Sequence, residues 1–467
     1  MKYKILIYTL FVGILSACNP DEFLDVYPTG STIPTTVEDF DKLLENPDVA
    51  ADETARNLTF MDPDVSLPNA FYDGYNSVIQ FQYVWDAQPY NDVSYTDSDW
   101  NDRYSKIMTF NTILQDVDGA DLGNRLETDR ARVKGEALAQ RAYELFSLVT
   151  EYGAAYSANN TDAPGIPMPL EVDLTAQLSR KSVGEVYAQI EKDLDAAENL
   201  LQNNNPINTG ANFRPGMASI YGLQALVALT KGDFGKANTY ADRALNLYHF
   251  LYDYTGITNN TEGNAWSGLP ITNLDYSTTT ENVVWNREHR DDYQVINVFY
   301  GEPLLQLFDQ ENDQRFILFH STESYTGVSV SPSIVYASYR RTVQAGLTTP
   351  DLYLISAEAK VRTGDRAGAL SRLNTLLENR ILNFTPYTAD SFSDDAAVLE
   401  LVKAERRKEF MASGKNFLDQ KRYVAYGDNV PTFERNVNGN IFTLEPDQES
   451  YMVPISLNIQ SLNPNLN

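Results

Sequence analysis

The chain has 467 residues, with 36 Lys and Arg against 64 Asp and Glu, a formal charge of −28. Its 43% hydrophobic and 21% charged residues exclude wholesale disorder. The excess of acids excludes a protein that draws its affinity from phosphate charge, whether on nucleic acid or on an anionic membrane surface. Aromatic residues reach 12%, and the 29 Tyr outnumber the 21 Phe. A phenol offers a ring face and a hydroxyl together, which suits a half-wet binding surface.

Lys2 and Lys4 precede an apolar run from Ile5 to Leu15. That run is too short to cross a bilayer, which takes about 20 residues, but has the build of a signal-peptide core. Leu15-Ser16-Ala17-Cys18 follows, and Cys18 is the only cysteine. The pattern resembles the bacterial lipobox. It predicts a lipoprotein signal over 1–17, cleavage before Cys18 and a lipid anchor on that residue, and the acids of Asn19-Pro20-Asp21-Glu22 after it resemble the export signals of some Gram-negative lipoproteins that face the cell exterior. One cysteine allows no intrachain disulfide, so packing alone must hold the fold.

Amphipathic spacing then predicts helices in series. Trp100, Tyr104, Ile107, Asn111 and Leu114 share one face, as do Val133, Ala137, Arg141, Leu145, Leu148 and Tyr152. Ser182-Val183-Gly184-Glu185 is a capping box opening a helix through Ile190, Leu194 and Leu201. From Pro215 a helix runs through Leu223 to Leu229, breaks at Gly232-Asp233-Phe234, and resumes at Ala237, Ala241 and Ala244. A near copy runs from Tyr353 to Val361, breaks at Gly364-Asp365-Arg366, and resumes at Ala369, Leu373 and Leu376. Small residues set after a glycine break are the helical-hairpin logic of tetratricopeptide units. Strand signal is scarce, apart from Thr432–Val437 and Asn440–Leu444 around the type I′ turn Asn438-Gly439.

Two long irregular stretches, about 46–95 and 251–345, are rich in Tyr, Asn, Asp, Thr and Pro. Stretches of that length in a compact protein are functional when ordered. The predicted ligand-binding aromatics are Tyr72, Tyr75, Trp85 and Tyr90 in the first and Trp266, Tyr276 and Trp285 in the second, with Asn91 and Asp92 as polar neighbours. The expected fold is mostly α: a tetratricopeptide-like helical-hairpin scaffold over about 96–250 and 346–430, with loop-rich insertions and minor β-hairpins, all one domain from 18 to 467.

Positive support for catalysis is missing. The three histidines, His249, His289 and His320, form no HExxH, and there is no GxSxG elbow or phosphate loop. Asp116-Val117-Asp118-Gly119 lacks the spacing of a calcium loop. No metal, cofactor or catalytic residue is expected.

In chain order, several motifs resemble the SusD/RagB-like outer-membrane nutrient-binding lipoproteins. They are Asp21-Glu22-Phe23-Leu24-Asp25 with Pro28, Trp100 with Tyr104 and Asn111, and Gly135-Glu136-Ala137 with Arg141-Ala142-Tyr143. Further along come Gly165-Ile166-Pro167-Met168-Pro169, Ala357-Glu358-Ala359, Glu405-Arg406-Arg407 with Glu409-Phe410, Asp419 with Lys421-Arg422, and Tyr451 with Pro454. Where the family usually has Glu-Gly-x-Arg, this chain reads Ser413-Gly414-Lys415-Asn416. The resemblance implies a non-catalytic surface protein that captures an oligosaccharide and passes it to a SusC-like TonB-dependent transporter. In a RagB-like branch the cargo is an oligopeptide. A secreted glycoside hydrolase and a scaffold that binds only protein are the alternatives outside the family. The matched charges Glu136, Arg141, Glu405, Arg406 and Arg422 are expected to tie helices together rather than to touch ligand.

Overall fold

The computed structural model describes residues 33–46, 56–270 except 174 and 209, 282–290, 298–337, and 342–466 except 448. The signal 1–17, Cys18, the Asp21–Pro28 motif and Tyr276 lie outside them. The first helices are α1 (Val37–Leu44), α2 (Arg56–Met61), α3 (Ser77–Tyr83), α4 (Ser98–Asp116), α5 (Glu127–Tyr152) and α6 (Val183–Leu201). There follow α7 (Met217–Thr230), α8 (Phe234–Leu247), α9 (Gln314–Phe319), α10 (Thr349–Arg362), α11 (Arg366–Leu377), α12 (Asp395–Glu409), α13 (Lys415–Tyr426) and α14 (Leu457–Leu462). The fold is mostly α.

Capping side chains set the starts. Asp97 accepts from the Trp100 amide at 3.3 Å, and Ser182 accepts from the Glu185 amide while Glu185 accepts from the Ser182 amide at 2.8 Å. In both hairpins a glycine ends the first helix and an aspartate starts the second. Gly232 and Gly364 sit at φ +75° and +85°, a left-handed conformation that suits residues without Cβ. Asp233 and Asp365 then accept from the Lys236 and Gly368 amides at 3.2 and 2.9 Å.

α5 packs between α4 and α6, and α8 packs on both α7 and α10. The two hairpins, remote in sequence, are thereby neighbours. Their seam is built of small residues: Ala225, Ala237 and Ala241 meet Ile355 and Ala359. Close helix approach requires that smallness. Ala241→Leu is therefore expected to lower stability by about 1–3 kcal/mol, read as a lower urea midpoint at unchanged m-value.

The large core between α4, α5, α6 and α7 holds Ile107, Tyr152, Tyr187 and Trp285. A second core gathers Phe60, Val65, Tyr83, Phe299, Tyr300, Val335 and Val437. It is floored by a four-stranded antiparallel sheet in the order β1 (Val65–Ser66), β4 (Phe299–Tyr300), β6 (Val335–Tyr336), β5 (His320–Ser321). Elsewhere β2 (Val283–Trp285) pairs with β8 (Leu347–Thr348), and β3 (Glu288–Arg290) with β7 (Thr342–Gln344). The hairpin of β9 (Phe433–Val437) and β10 (Asn440–Leu444) turns through Asn438 and Gly439 at φ +50° and +84°, as the type I′ reading expects.

One arginine sews the second core together. The Arg435 guanidinium donates to the main-chain carbonyls of Phe60, Asp62, Val65 and Tyr83. The rings of Tyr83 and Trp85 cover it at 4.0 and 4.1 Å. Gly414, at φ +74°, starts α13 against α2, where a Cβ would lie 2.3 Å from Leu58 Cβ. Only glycine fits.

Candidate functional site

Beyond α8 the chain folds into a tight loop. The Asn260 amide donates to Gly268 O at 2.8 Å, and a single 3-10 turn, Ala265–Ser267, closes it. Asn264 caps that turn by accepting from the Trp266 amide at 3.0 Å. Facing it, the stretch after β5 doubles back. Glu323 and Ser329 bridge, the Val330 amide donates to Thr322 O at 2.9 Å, and the Ser324 amide donates to Val328 O at 2.8 Å. The tip of this second loop carries Tyr325 and Val328, 43% and 61% exposed.

Trp266 joins the two loops. Its indole N–H donates to Glu323 O at 2.9 Å, and its ring stands 5.6 Å from that of Tyr325 at 79°. The two rings form an aromatic corner at the surface. Among the described residues nothing engages the carboxylates of Glu262 and Glu323 or the amide nitrogen of Asn264, so polar groups on its rim are open. Flat apolar surface with a rim of open acceptors and donors can stack a sugar's C–H face and bond its hydroxyls.

Tyr72 and Tyr75 are half-buried against the same second core that Trp266 covers. Tyr75 meets Phe60 edge-on at 5.4 Å and Tyr72 lies 5.8 Å from Tyr83. The structure thus gathers three of the predicted aromatics on one module. Trp85 is half-buried, its N–H donates to Met61 O at 2.8 Å, and Arg435 covers its ring.

Two of the predicted aromatics are corrected. Tyr90 is 5% exposed, and its hydroxyl donates to Asn57 Oδ1 at 2.6 Å inside a polar network with Asp97, Glu151 and Tyr152. Trp285 is 0% exposed, donates to Phe213 O at 3.1 Å, and packs 4.9 Å from Tyr143. Pairing of β2 with β8, and the Ser219 hydroxyl bonded to Val284 O at 2.8 Å, draw the Trp285 segment inside the scaffold. A ring with no open face cannot stack on a ligand. Asn91 and Asp92 are exposed, and Asp92 accepts from the Ser94 amide at 2.8 Å. Sequence reasoning missed Tyr325. The Gly327 turn two residues on was the available signal.

Residues 22–229 match a family profile described as SusD-like, starch-binding associating with outer membrane, and residues 321–467 match the SusD family profile. The chain belongs to the SusD/RagB-like family. No curated protein sequence matches it. Solved structures agree in fold. A SusD superfamily protein from Bacteroides fragilis aligns at TM-score 0.69 and 20% identity, covering 93% of this chain and 100% of the other. One from Bacteroides thetaiotaomicron VPI-5482 aligns at 0.68 and 19%, covering 92% and 99%. A SusD-like carbohydrate binding protein from Bacteroides vulgatus ATCC 8482 aligns at 0.67 and 19%, covering 92% and 97%.

In this SusD/RagB-like chain the matched charges join helices. Arg141 forks onto Asp193 at 2.8 and 2.8 Å, tying α5 to α6, and Glu136 accepts from Arg214 at 2.7 Å. Arg406 bonds Asp419 at 2.7 and 3.1 Å, Glu405 accepts from Arg315 at 2.7 Å, and Arg422 forks onto Glu358 at 2.6 and 2.6 Å. Lys421 caps the last turn of α5, donating to Thr150 O and Gly153 O at 2.7 Å each. At the departure from the family pattern, Lys415 pairs with Asp351 at 2.8 Å and Asn416 donates to Asp64 at 2.8 Å. A different ion pair and an amide fill that place.

Proposed function

We propose that the protein is a non-catalytic, lipid-anchored surface protein that captures oligosaccharides and hands them to a SusC-like TonB-dependent transporter. The observation that carries the reading is the Trp266–Tyr325 corner, a right-angled pair of a half-buried indole and an exposed phenol with open carboxylates and an open amide around it. Family membership supports the transporter, and the lipobox at Cys18 supports the anchor. No helix among the described residues is long and apolar enough to cross a membrane, which accords with anchoring by lipid. Tyr72 and Tyr75 belong to the proposed ligand face as its inner edge. The acid rim and the formal charge of −28 favour neutral glycans over sulfated or polyuronic ones.

The test is a calorimetric scan of the purified mature protein against neutral oligosaccharides, polyuronates and peptides. A neutral oligosaccharide is expected to bind, and Trp266→Ala to weaken it by about tenfold or more, since base or sugar stacking on an aromatic is worth about 1–3 kcal/mol. Binding of peptides alone, or oligosaccharide binding indifferent to Trp266 and Tyr325, overturns the reading.

A further inference from the structure

A partly open chamber of about 100 Å³ lies among the helices of the scaffold, away from the aromatic corner. α5, α6, α7 and α13 wall it, with the Ala345–Leu347 segment, Asp351 of α10 and Arg406 of α12 completing it. Most of its surface is apolar, from Tyr143, Phe146, Tyr187, Leu347 and Leu418 among others. Arg103, Arg406, Lys415, Lys421 and Arg422 reach it, as do Glu151, Asp351 and Asp419, and Glu358 stands behind Arg422.

Three of those cations are committed. Lys415 holds Asp351, Lys421 caps α5, and Arg422 holds Glu358 and Asp419. Two are not fully used. Arg103 Nε and Arg406 Nη1 are buried and bond nothing, on side chains that are 3% and 2% exposed. Among the described lining residues these are the buried side-chain polar atoms left open, and both are donors on guanidinium groups. A buried donor left unpaired costs about 1–3 kcal/mol, so a partner at this point is strongly favoured. A water could supply one acceptor to such a donor but brings two hydrogens into a mostly apolar space. A carboxylate brings acceptors alone and matches the planar guanidinium. A dianionic phosphate would set a second charge against apolar wall.

We propose that this chamber binds a small organic monocarboxylate, its carboxylate on Arg406 and its apolar body against the surrounding leucines and aromatic rings. An engineered cavity of about 150 Å³ takes benzene, so a chamber of about 100 Å³ suits roughly four to six non-hydrogen atoms, the range from acetate to butyrate. Tyr156, Leu226 and Thr230, also in its lining, are half-buried.

The experiment is thermal unfolding and calorimetry of the purified mature protein in sodium butyrate, in sodium chloride at equal concentration, and in n-butanol. Butyrate is expected to raise the melting temperature and to titrate as one site, while chloride and butanol do neither. Leu418→Trp, which fills the chamber and leaves both arginines in place, is expected to abolish the shift. Arg406→Lys keeps the charge but lacks Nη1, and is expected to weaken binding about tenfold. The wild-type series decides without any variant. Absence of a butyrate effect, an equal effect of chloride (an adventitious ion only), or an equal effect of butanol overturns the proposal, as does a butyrate shift that survives Leu418→Trp in a folded protein. Trp266→Ala leaves this response unchanged, so failure here and failure of the glycan reading are separate results.

Discussion

Arg422→Met is expected to lower the unfolding free energy by about 3–5 kcal/mol, the cost of leaving a buried carboxylate without its partner. Glu358 is 0% exposed and receives both guanidinium nitrogens of Arg422 at 2.6 Å. Arg362 adds a bond at 2.9 Å, which alone cannot replace the fork. Burial by itself would raise the Glu358 carboxyl. Arg422 first, then Arg362 and Arg406, together outweigh that burial and hold the group down at about 2 against an ordinary 4.5. The sign follows from proton binding. The folded state releases this proton more readily than the unfolded chain, so the stabilisation is complete above about pH 4.5 and is lost as pH falls toward 2. That difference corresponds to about 3 kcal/mol. Urea midpoints at pH 7 and pH 3 check both parts. Arg422→Met should lie well below wild type at pH 7, and the gap should narrow at pH 3. A gap that stays constant with pH would show that lost packing, not the ion pair, sets the effect.

Arg435→Met is expected to cost a similar amount, about 3–5 kcal/mol, but in a different place. Methionine keeps much of the apolar stem but removes the donor to the carbonyls of Phe60, Val65 and Tyr83, each worth on the order of 1 kcal/mol when unpaired, and leaves Asp62 O with the Val65 amide alone at 3.0 Å. Three of the four lie in the short stretch that forms α2 and β1, so the loss should fall on the second core while the helical scaffold stays intact. Hydrogen exchange is the measurement: amides of residues 56–66 and 299–300 should exchange faster, and those of α5 and α10 should keep their protection. Uniform loss of protection across both cores would contradict this local role. Because Tyr72, Tyr75 and Trp266 rest on the same core, the proposed saccharide affinity should fall with it.

The helical scaffold was legible because its signals are local. Ser182 with Glu185, Gly232 with Asp233 and Gly364 with Asp365 each fix a boundary within a few residues, and the structure places those boundaries where the sequence puts them. The pairing of α8 with α10 was less visible, since the contact spans more than a hundred residues and alanines carry little pattern. The second core was not legible. Its strands are two residues long, too short for alternation to register, and they are held by Arg435 from more than 350 positions away. The same limit explains Tyr90 and Trp285. Both sit in stretches whose composition reads as surface loop, and both are carried inward by partners remote in sequence, Asn57 for one and Phe213 with β8 for the other. Tyr325 was missed for the opposite reason: its loop is exposed, but a single tyrosine among 29 carries no weight until its neighbour is known.

The placement of the four tryptophans gives the molecule its own optical reporter. Trp100 and Trp285 are 6% and 0% exposed, Trp85 lies under a guanidinium, and Trp266 stands at the aromatic corner. A collisional quencher dissolved in water should therefore dim Trp266 first and leave the red-shifted fraction of the emission most affected. In a Trp85→Phe background the quenchable light comes from one known position, and a bound sugar that shields it can be followed without any label.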